Sequence, residues 1–173
     1  NHYTNYQLLI DVVTAFPQLH LMIVGQLFNV ESEVEVLRQR LFAMANVSFL
    51  GVKHPDELRA IIQGAKVGLV TYDFEPTRSI PVSGVRTPLK AITYLAQNCP
   101  VVSTLNSYVP TLDGHGSFKA EDTAHFVQLI GEVLHGTKKV DRAVVSQYLD
   151  QVEYDCLADR ILEHEMQLWN GSK

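Results

Sequence analysis

Five short runs of apolar residues constrain the fold of this chain more than any other feature. The runs lie at residues 19–24, 46–50, 67–71, 100–102 and 117–119. They are nearly continuous rather than alternating, which is typical of strands that a parallel sheet buries on both faces. Segments with helical spacing lie at residues 6–16, 31–44, 55–64, 89–97 and 121–135. We therefore predict an α/β fold, a Rossmann-like, doubly wound parallel sheet of about five strands flanked by helices.

The stretch from residue 86 to residue 104, RTPLKAITYLAQNCPVVST, combines a helix start with a buried strand. Thr87 suits the N-cap, and Pro88 suits the first helical position because its missing N–H has no helical partner there. Lys90 then falls in the first turn. A cation beside free backbone N–H groups is favourable for binding a phosphate. Asn98 is expected to end the helix, since Asn tolerates the left-handed conformation.

This stretch resembles the C-terminal, donor-binding domain of GT-B glycosyltransferases, especially bacterial polysaccharide-type enzymes that read roughly P-x-K-x-x-E-Y-L-A-x-G-x-P-V-V-S-T. The matching residues are Pro88, Lys90, Tyr94, Leu95, Ala96, Pro100, Val101, Val102, Ser103 and Thr104. Two positions depart from the pattern. Thr93 stands where the family has a Glu that holds the ribose hydroxyls, and Asn98 stands where it has Gly. A threonine hydroxyl makes one hydrogen bond to a ribose but lacks the charge-assisted, two-acceptor grip of a carboxylate.

The resemblance implies transfer of a sugar from a nucleoside-diphosphate sugar, of the UDP or GDP type, in polysaccharide or glycan biosynthesis. It assigns Lys90 and Arg86 to the catalytic step, in which they offset negative charge that grows on the leaving diphosphate. No metal and no separate cofactor are expected, because the nucleotide sugar is itself the substrate. The acceptor and the general base would belong to a separate N-terminal domain. This piece alone is therefore expected to be inactive.

The loop at residues 72–85 adds further candidates for binding the donor. It has no helical or alternating period and follows the carboxyl end of a predicted strand, where open α/β sheets bind ligands. Three polar groups of this loop, Glu75, Arg78 and Ser83, are predicted to contact the nucleotide sugar, unless they only line a solvated surface. Four more candidates come from the helix and strand that follow: Thr87, Thr93, Ser103 and Thr104.

Composition and charge exclude several other classes of protein. The 173 residues are enough for one domain that buries a sizeable core. The net charge of −5, with dispersed Lys and Arg, argues against a nucleic-acid partner. Neither the His nor the Cys residues show metal-binding spacing, and Cys99 is predicted to be a buried small hydrophobe. No apolar run in the sequence is long enough to span a membrane. We therefore predict a cytoplasmic location. Peripheral attachment to the inner membrane face, through the other domain, is compatible with this prediction.

We interpret residues 1–173 as one donor-binding domain with a helical tail at residues 141–173. The chain begins without Met inside a helical pattern, which favours a C-terminal half of a longer two-domain enzyme. Two alternatives remain at this point. One is a sugar-nucleotide epimerase of the same fold. The other is a non-catalytic binding or interaction module with a degenerate nucleotide site, which the Thr93 departure favours.

Overall fold

The computed structural model describes residues 4–72, 89–104 and 109–151. Within these ranges the chain forms six α-helices and five β-strands. The helices are α1 (Tyr6–Ala15), α2 (Ser32–Phe42), α3 (Pro55–Gly64), α4 (Leu89–Ala96), α5 (Thr123–Leu134) and α6 (Arg142–Gln151). The strands are β1 (Leu21–Ile23), β2 (Val47–Phe49), β3 (Gly68–Val70), β4 (Val101–Thr104) and β5 (Ser117–Ala120). A 3₁₀ turn, Pro110–Leu112, lies between β4 and β5.

Local sequence signals account for where the helices begin. Asn5 caps α1, because its side-chain oxygen accepts a hydrogen bond from the Leu8 N–H at 2.9 Å. Asp122 caps α5 in the same way through the N–H of His125 at 2.8 Å. At α3, His54 and Glu57 form a capping box around Pro55 in the first turn. Each cap satisfies N–H groups that the helix itself leaves unpaired.

Every described strand pair is parallel, which confirms the predicted α/β class. The strands lie in two sheets rather than one: β1 pairs with β2, and β4 pairs with both β3 and β5. In the second sheet Gly68 lies opposite Val101, which in turn lies opposite Ser117. The described strands thus form a two-stranded and a three-stranded parallel sheet, and no described strand joins β1 to β3.

Helix α1 packs across both sheets. Its residues Leu8 and Val12 belong to a core cluster with Val102, Phe118 and the inner face of α5. Its residues on the neighbouring stripe pack instead against β1, β2 and α2; these are Tyr6, Leu9, Ile10 and Val13. A third cluster holds the opposite face of the second sheet against α4 and α6. The second sheet thus has a hydrophobic cluster on each face, and the first sheet packs in a cluster of its own with α1 and α2.

The end of α4 confirms the predicted role of Asn98. Asn98 is the only described non-glycine residue with a positive φ, 60°, which places it in the left-handed region. The N–H of Cys99 bonds to the carbonyl of Tyr94 at 3.0 Å, and the N–H of Asn98 bonds to that of Leu95 at 2.9 Å. These are the two hydrogen bonds of a Schellman motif. The Asn98 side chain also accepts a hydrogen bond from the Arg142 Nε at 2.9 Å, which attaches α6 to the end of α4.

Cys99 is 2% exposed, as the sequence predicted for a small hydrophobe. Burial raises the pKa of its thiol to about 11, and a backbone hydrogen bond with Gly68 offsets part of the rise. With a pKa near 11, only about a thousandth of the thiol is ionised at pH 8, and the thiolate is the reactive form.

In a Cys156→Ser variant we expect native Cys99 to resist a disulfide thiol reagent at pH 8. The same variant unfolded in guanidinium chloride should react fully, and rapid reaction of the native form would contradict the burial.

The predicted helical tail is described only in part. Helix α6, Arg142–Gln151, agrees with the first section of the predicted tail, and residues 152–173 lie outside the described residues. Asp141 precedes α6 and accepts hydrogen bonds from the N–H groups of Ala143 and Val144, both at 3.2 Å. These bonds lower the pKa of the Asp141 carboxyl, as does the neighbouring His115 side chain.

Candidate functional site

The carboxyl ends of β3 and β4 meet the first turn of α4. Because the two strands are parallel and Val70 lies opposite Ser103, they end side by side. The chain leaves β3 at Thr71 and Tyr72, and α4 begins at Leu89. Ligands in open α/β folds bind at this edge of the sheet, outside the carboxyl ends of the strands. Of the residues predicted to bind the donor, Lys90 and Thr93 lie in α4, and Ser103 and Thr104 lie in β4.

Tyr72 connects two of the predicted site residues. The ammonium nitrogen of Lys90 lies 5.5 Å from the centroid of the Tyr72 ring. The backbone N–H of Tyr72 donates to the Thr104 hydroxyl oxygen at 3.2 Å. The first turn of α4, the end of β3 and the end of β4 are thereby held together by one half-buried aromatic residue. Lys90 and Thr104, which are 14 residues apart in the sequence, therefore both contact Tyr72.

Lys90 is exposed, and its only described partner is the Tyr72 ring. A cation over an aromatic ring at an exposed site is held by only about 0.5–1 kcal/mol. The side chain is thus oriented over the strand ends, while its three N–H donors make no ion pair with any described carboxylate. Such an exposed ammonium group, with no ion pair among the described residues, is suited to binding an anion.

Thr93 lies one turn after Lys90 on an exposed face of α4. Its hydroxyl donates a hydrogen bond to the Leu89 carbonyl at 2.8 Å. The hydroxyl proton is therefore engaged within the helix, and its oxygen lone pairs remain as acceptors for a ligand donor. That Thr93 contacts a ribose stays a prediction.

Ser103 and Thr104 are both fully buried in β4. Side chains alternate along a strand, so Ser103 shares the face of Val101, which packs in the cluster of α4 and α6. The Ser103 hydroxyl has no hydrogen-bond partner in the structure, and it is the one buried side-chain polar atom among the described residues of which this is so. That these two residues bind a ligand stays a prediction.

Five predicted site residues lie outside the described residues: Glu75, Arg78, Ser83, Arg86 and Thr87. Sequence reasoning also missed Tyr72 as a member of the site. The available signal was its position directly after a predicted buried strand, on the carboxyl side where ligands bind. The contact with Lys90 had no signal in the sequence, since 18 positions separate the two residues.

Two further features are absent from the described part of the chain. No group of three or more His, Cys, Asp or Glu side chains there is arranged to hold a metal ion. Within the same residues, no helix has the length and apolar character needed to cross a bilayer.

Similarity to solved structures, but not to protein families or curated sequences, was found for this chain. No protein-family profile matches the sequence, and no curated protein matches it significantly. Among solved structures, the chain is similar to the lipopolysaccharide outer core galactosyltransferase WaaB in its apo form, with 17% identity and a TM-score of 0.50 over 83% of this chain and 40% of that one. It is also similar to AviGT4, a glycosyltransferase involved in avilamycin A biosynthesis, with 16% identity and a TM-score of 0.49 over 87% and 47% of the two chains. The chain spans less than half the length of either protein. At this identity the similarity to WaaB shows a shared α/β fold.

Proposed function

We propose that this chain is the donor-binding domain of a glycosyltransferase that uses a UDP- or GDP-sugar in polysaccharide or glycan biosynthesis in the cytoplasm. The observation that carries the proposal is the Lys90 ammonium group, which lies over Tyr72 at the carboxyl ends of β3 and β4 without a described ion pair. The fold shared with a galactosyltransferase supports it. So does the run of residues from Pro88 to Thr104 that resembles the donor-binding pattern.

In the proposed reaction the bond between the sugar and the diphosphate breaks, and negative charge grows on the diphosphate. Lys90 and the first-turn N–H groups of α4 stabilise that charge, which lowers the barrier without a metal ion. Arg86 and Arg78 share this role in the proposal. The acceptor and the general base belong to a second domain, so we expect this chain to bind the donor and not to turn it over.

The test is calorimetric titration of the chain with UDP, GDP and their sugar conjugates. We expect one nucleotide to bind, and Lys90→Ala to weaken its binding roughly tenfold to a hundredfold, because a hydrogen bond to a charged group contributes about 1.5–3 kcal/mol. Lys66→Ala is the matched control. Lys66 is also exposed, but it precedes β3 and so lies at the amino end of the sheet.

The outcomes separate the parts of the proposal. Equal losses in the Lys90 and Lys66 variants would show a nonspecific effect of charge and remove Lys90 from the site. Absence of binding by every nucleotide would count against a donor-binding domain and favour the interaction module.

The Thr93 hydroxyl favours one alternative, a non-catalytic module with a degenerate nucleotide site. Its one neutral oxygen accepts hydrogen bonds from ribose hydroxyls more weakly than the two charged oxygens of a carboxylate. A Thr93→Glu substitution that sharply tightens nucleotide binding would support a degenerate site. Unchanged or weaker binding would show that the site does not need a carboxylate at this position.

A further inference from the structure

The ladder between β3 and β4 ends before Tyr72, and its last paired residues are Val70 and Ser103. In a parallel ladder every second N–H of a strand faces the same neighbour, and that of Gly68 bonds toward β4 at 2.8 Å. The Tyr72 N–H therefore also faces β4. The oxygen that accepts it there, at 3.2 Å, belongs to the Thr104 side chain. A side-chain hydroxyl thus holds the backbone of Tyr72 beyond the end of the ladder.

Thr104 itself is enclosed by the fold. It is 0% exposed, and its side chain lies on the face of β4 that Val102 shares, in the cluster with α1 and α5. A hydroxyl enclosed in this way is not accessible to a ligand that arrives from solvent. The contact that links Thr104 to the candidate site is the hydrogen bond from the Tyr72 N–H.

The Tyr72 side chain is fixed by packing as well as through its backbone. It is half-buried and packs against the cluster to which α4 contributes Ala91 and Leu95. The ammonium nitrogen of Lys90, the residue before Ala91, lies 5.5 Å from the centroid of the Tyr72 ring. Lys90 is exposed, whereas the ring under it is anchored. A rigid group therefore orients a flexible one.

This orientation affects how strongly Lys90 can bind an anion. A lysine side chain has a flexible four-carbon stem and loses rotamer freedom when its ammonium group is immobilised by a ligand. An ammonium group already held over a ring has lost part of that freedom beforehand, so binding costs less. The attraction of an exposed cation to an aromatic ring corresponds to roughly a two- to fivefold change in an equilibrium constant.

We propose that Thr104 and Tyr72 are positioning residues for Lys90: the Thr104 hydroxyl holds the Tyr72 backbone, and the Tyr72 ring holds the Lys90 ammonium group ready for an anion. Thr104 thereby acts through Tyr72 and not by contact with the ligand. Only the identity of the anion, a nucleoside diphosphate, rests on the proposed function. The orientation of Lys90 in the free protein is observed separately.

The first test is the NMR signal of the Lys90 ε-CH₂ protons, assigned by its loss in Lys90→Ala. We expect it upfield of the signal from exposed Lys66, because protons over a ring face are shielded. Tyr72→Leu and Thr104→Val should reduce this shift, whereas Tyr72→Phe and Thr104→Ser keep the ring and the hydroxyl and should retain it. Tyr148→Leu is the matched control, since Tyr148 is also half-buried and packs against the same cluster.

The second test is calorimetric titration of the same variants with UDP and GDP. Tyr72→Leu and Thr104→Val should weaken binding of the nucleotide roughly two- to fivefold. Tyr72→Phe, Thr104→Ser and Tyr148→Leu should bind it about as well as the unaltered chain. When Lys90 is already replaced by Ala, Tyr72→Leu should cause no further loss, because the ring acts through Lys90.

The proposal is overturned if Tyr72→Leu leaves the Lys90 signal in place, or if Tyr148→Leu moves it as far. It is also overturned if Tyr72→Leu costs the same affinity with and without Lys90. Tighter binding by Tyr72→Leu would contradict it too, since the ring would then compete with the anion. If neither nucleotide binds the unaltered chain, the proposed function fails, and the NMR signal alone decides whether Tyr72 and Thr104 position Lys90.

Discussion

Replacing Gly68 by Ala is expected to lower the free energy of unfolding by about 2–3 kcal/mol, within the range for inserting an atom into a packed core. A Cβ at this position would lie 2.5 Å from Cγ of the Tyr94 ring and 2.6 and 2.9 Å from its two Cδ atoms. The ring is largely buried, which also raises the pKa of the Tyr94 hydroxyl. It has little room to turn aside, so α4 must move away from β3.

The measurement is urea unfolding followed by circular dichroism, with Gly64→Ala as the matched control. A Cβ on Gly64 meets no atom within 4 Å at the end of α3. Its stability should stay the same or rise slightly, since Ala favours a helix over Gly. Because α4 carries Lys90, we also expect Gly68→Ala to weaken nucleotide binding. Equal stability of the two variants would show that β3 and α4 are not packed as described.

Replacing Gly116 by Ala should destabilise the protein by about 3 kcal/mol, through backbone strain and crowding together. Gly116 has a φ of +128°, which residues with a Cβ rarely adopt. An added Cβ would also lie 3.0 Å from Cδ2 of Leu95 and 3.3 Å from the backbone Cα of Val140. The carbonyl of Gly116 accepts the N–H of Val101 at 2.8 Å, so a displaced backbone would disturb the pairing of β4 with β5.

Gly114→Ala provides the control for Gly116→Ala, because it tests strain without crowding. Gly114 has a φ of +78°, and a Cβ there meets nothing within 4 Å. Its substitution should cost about 1–2 kcal/mol, the usual penalty for a Cβ in the left-handed region. Thermal unfolding of both variants checks the difference. If Gly114→Ala costs as much as Gly116→Ala, contacts with Leu95 and Val140 contribute nothing.

The helix and strand at the candidate site could be predicted because their signals are local. Lys90 lies in the first turn of α4, and Asn98 ends that helix with a left-handed backbone, both as the sequence indicated. Such features depend on spacing within one turn and on the backbone preference of one residue. The pairing of Lys90 with Tyr72 could not be predicted in the same way. It depends on how far α4 extends over the end of β3, and Gly68 sets that distance by admitting the Tyr94 ring.

Burial of polar side chains also required the structure. The sequence of β4 is compatible with Ser103 and Thr104 as ligand-binding hydroxyls and also as small buried residues. Successive side chains of a strand point to opposite faces, and the sequence does not show what covers each face. The structure buries both, with Ser103 toward α4 and Thr104 bonded to the Tyr72 N–H. The structure also shows that two apolar strands differ in position within their sheets. Among the described strands, β2 pairs only with β1, whereas β4 has a partner on each side.

The sequence by itself determined the order of helices and strands, their parallel class and the left-handed residue Asn98 that ends α4, because periodicity and capping act over a few neighbouring residues. The tertiary structure alone decided which strands are neighbours, that no described strand joins β1 to β3, and that Tyr72 contacts both Lys90 and Thr104. Strand order and contacts between distant residues depend on how whole elements pack around a shared core. A parallel strand has the same apolar pattern at an open edge as at a paired one.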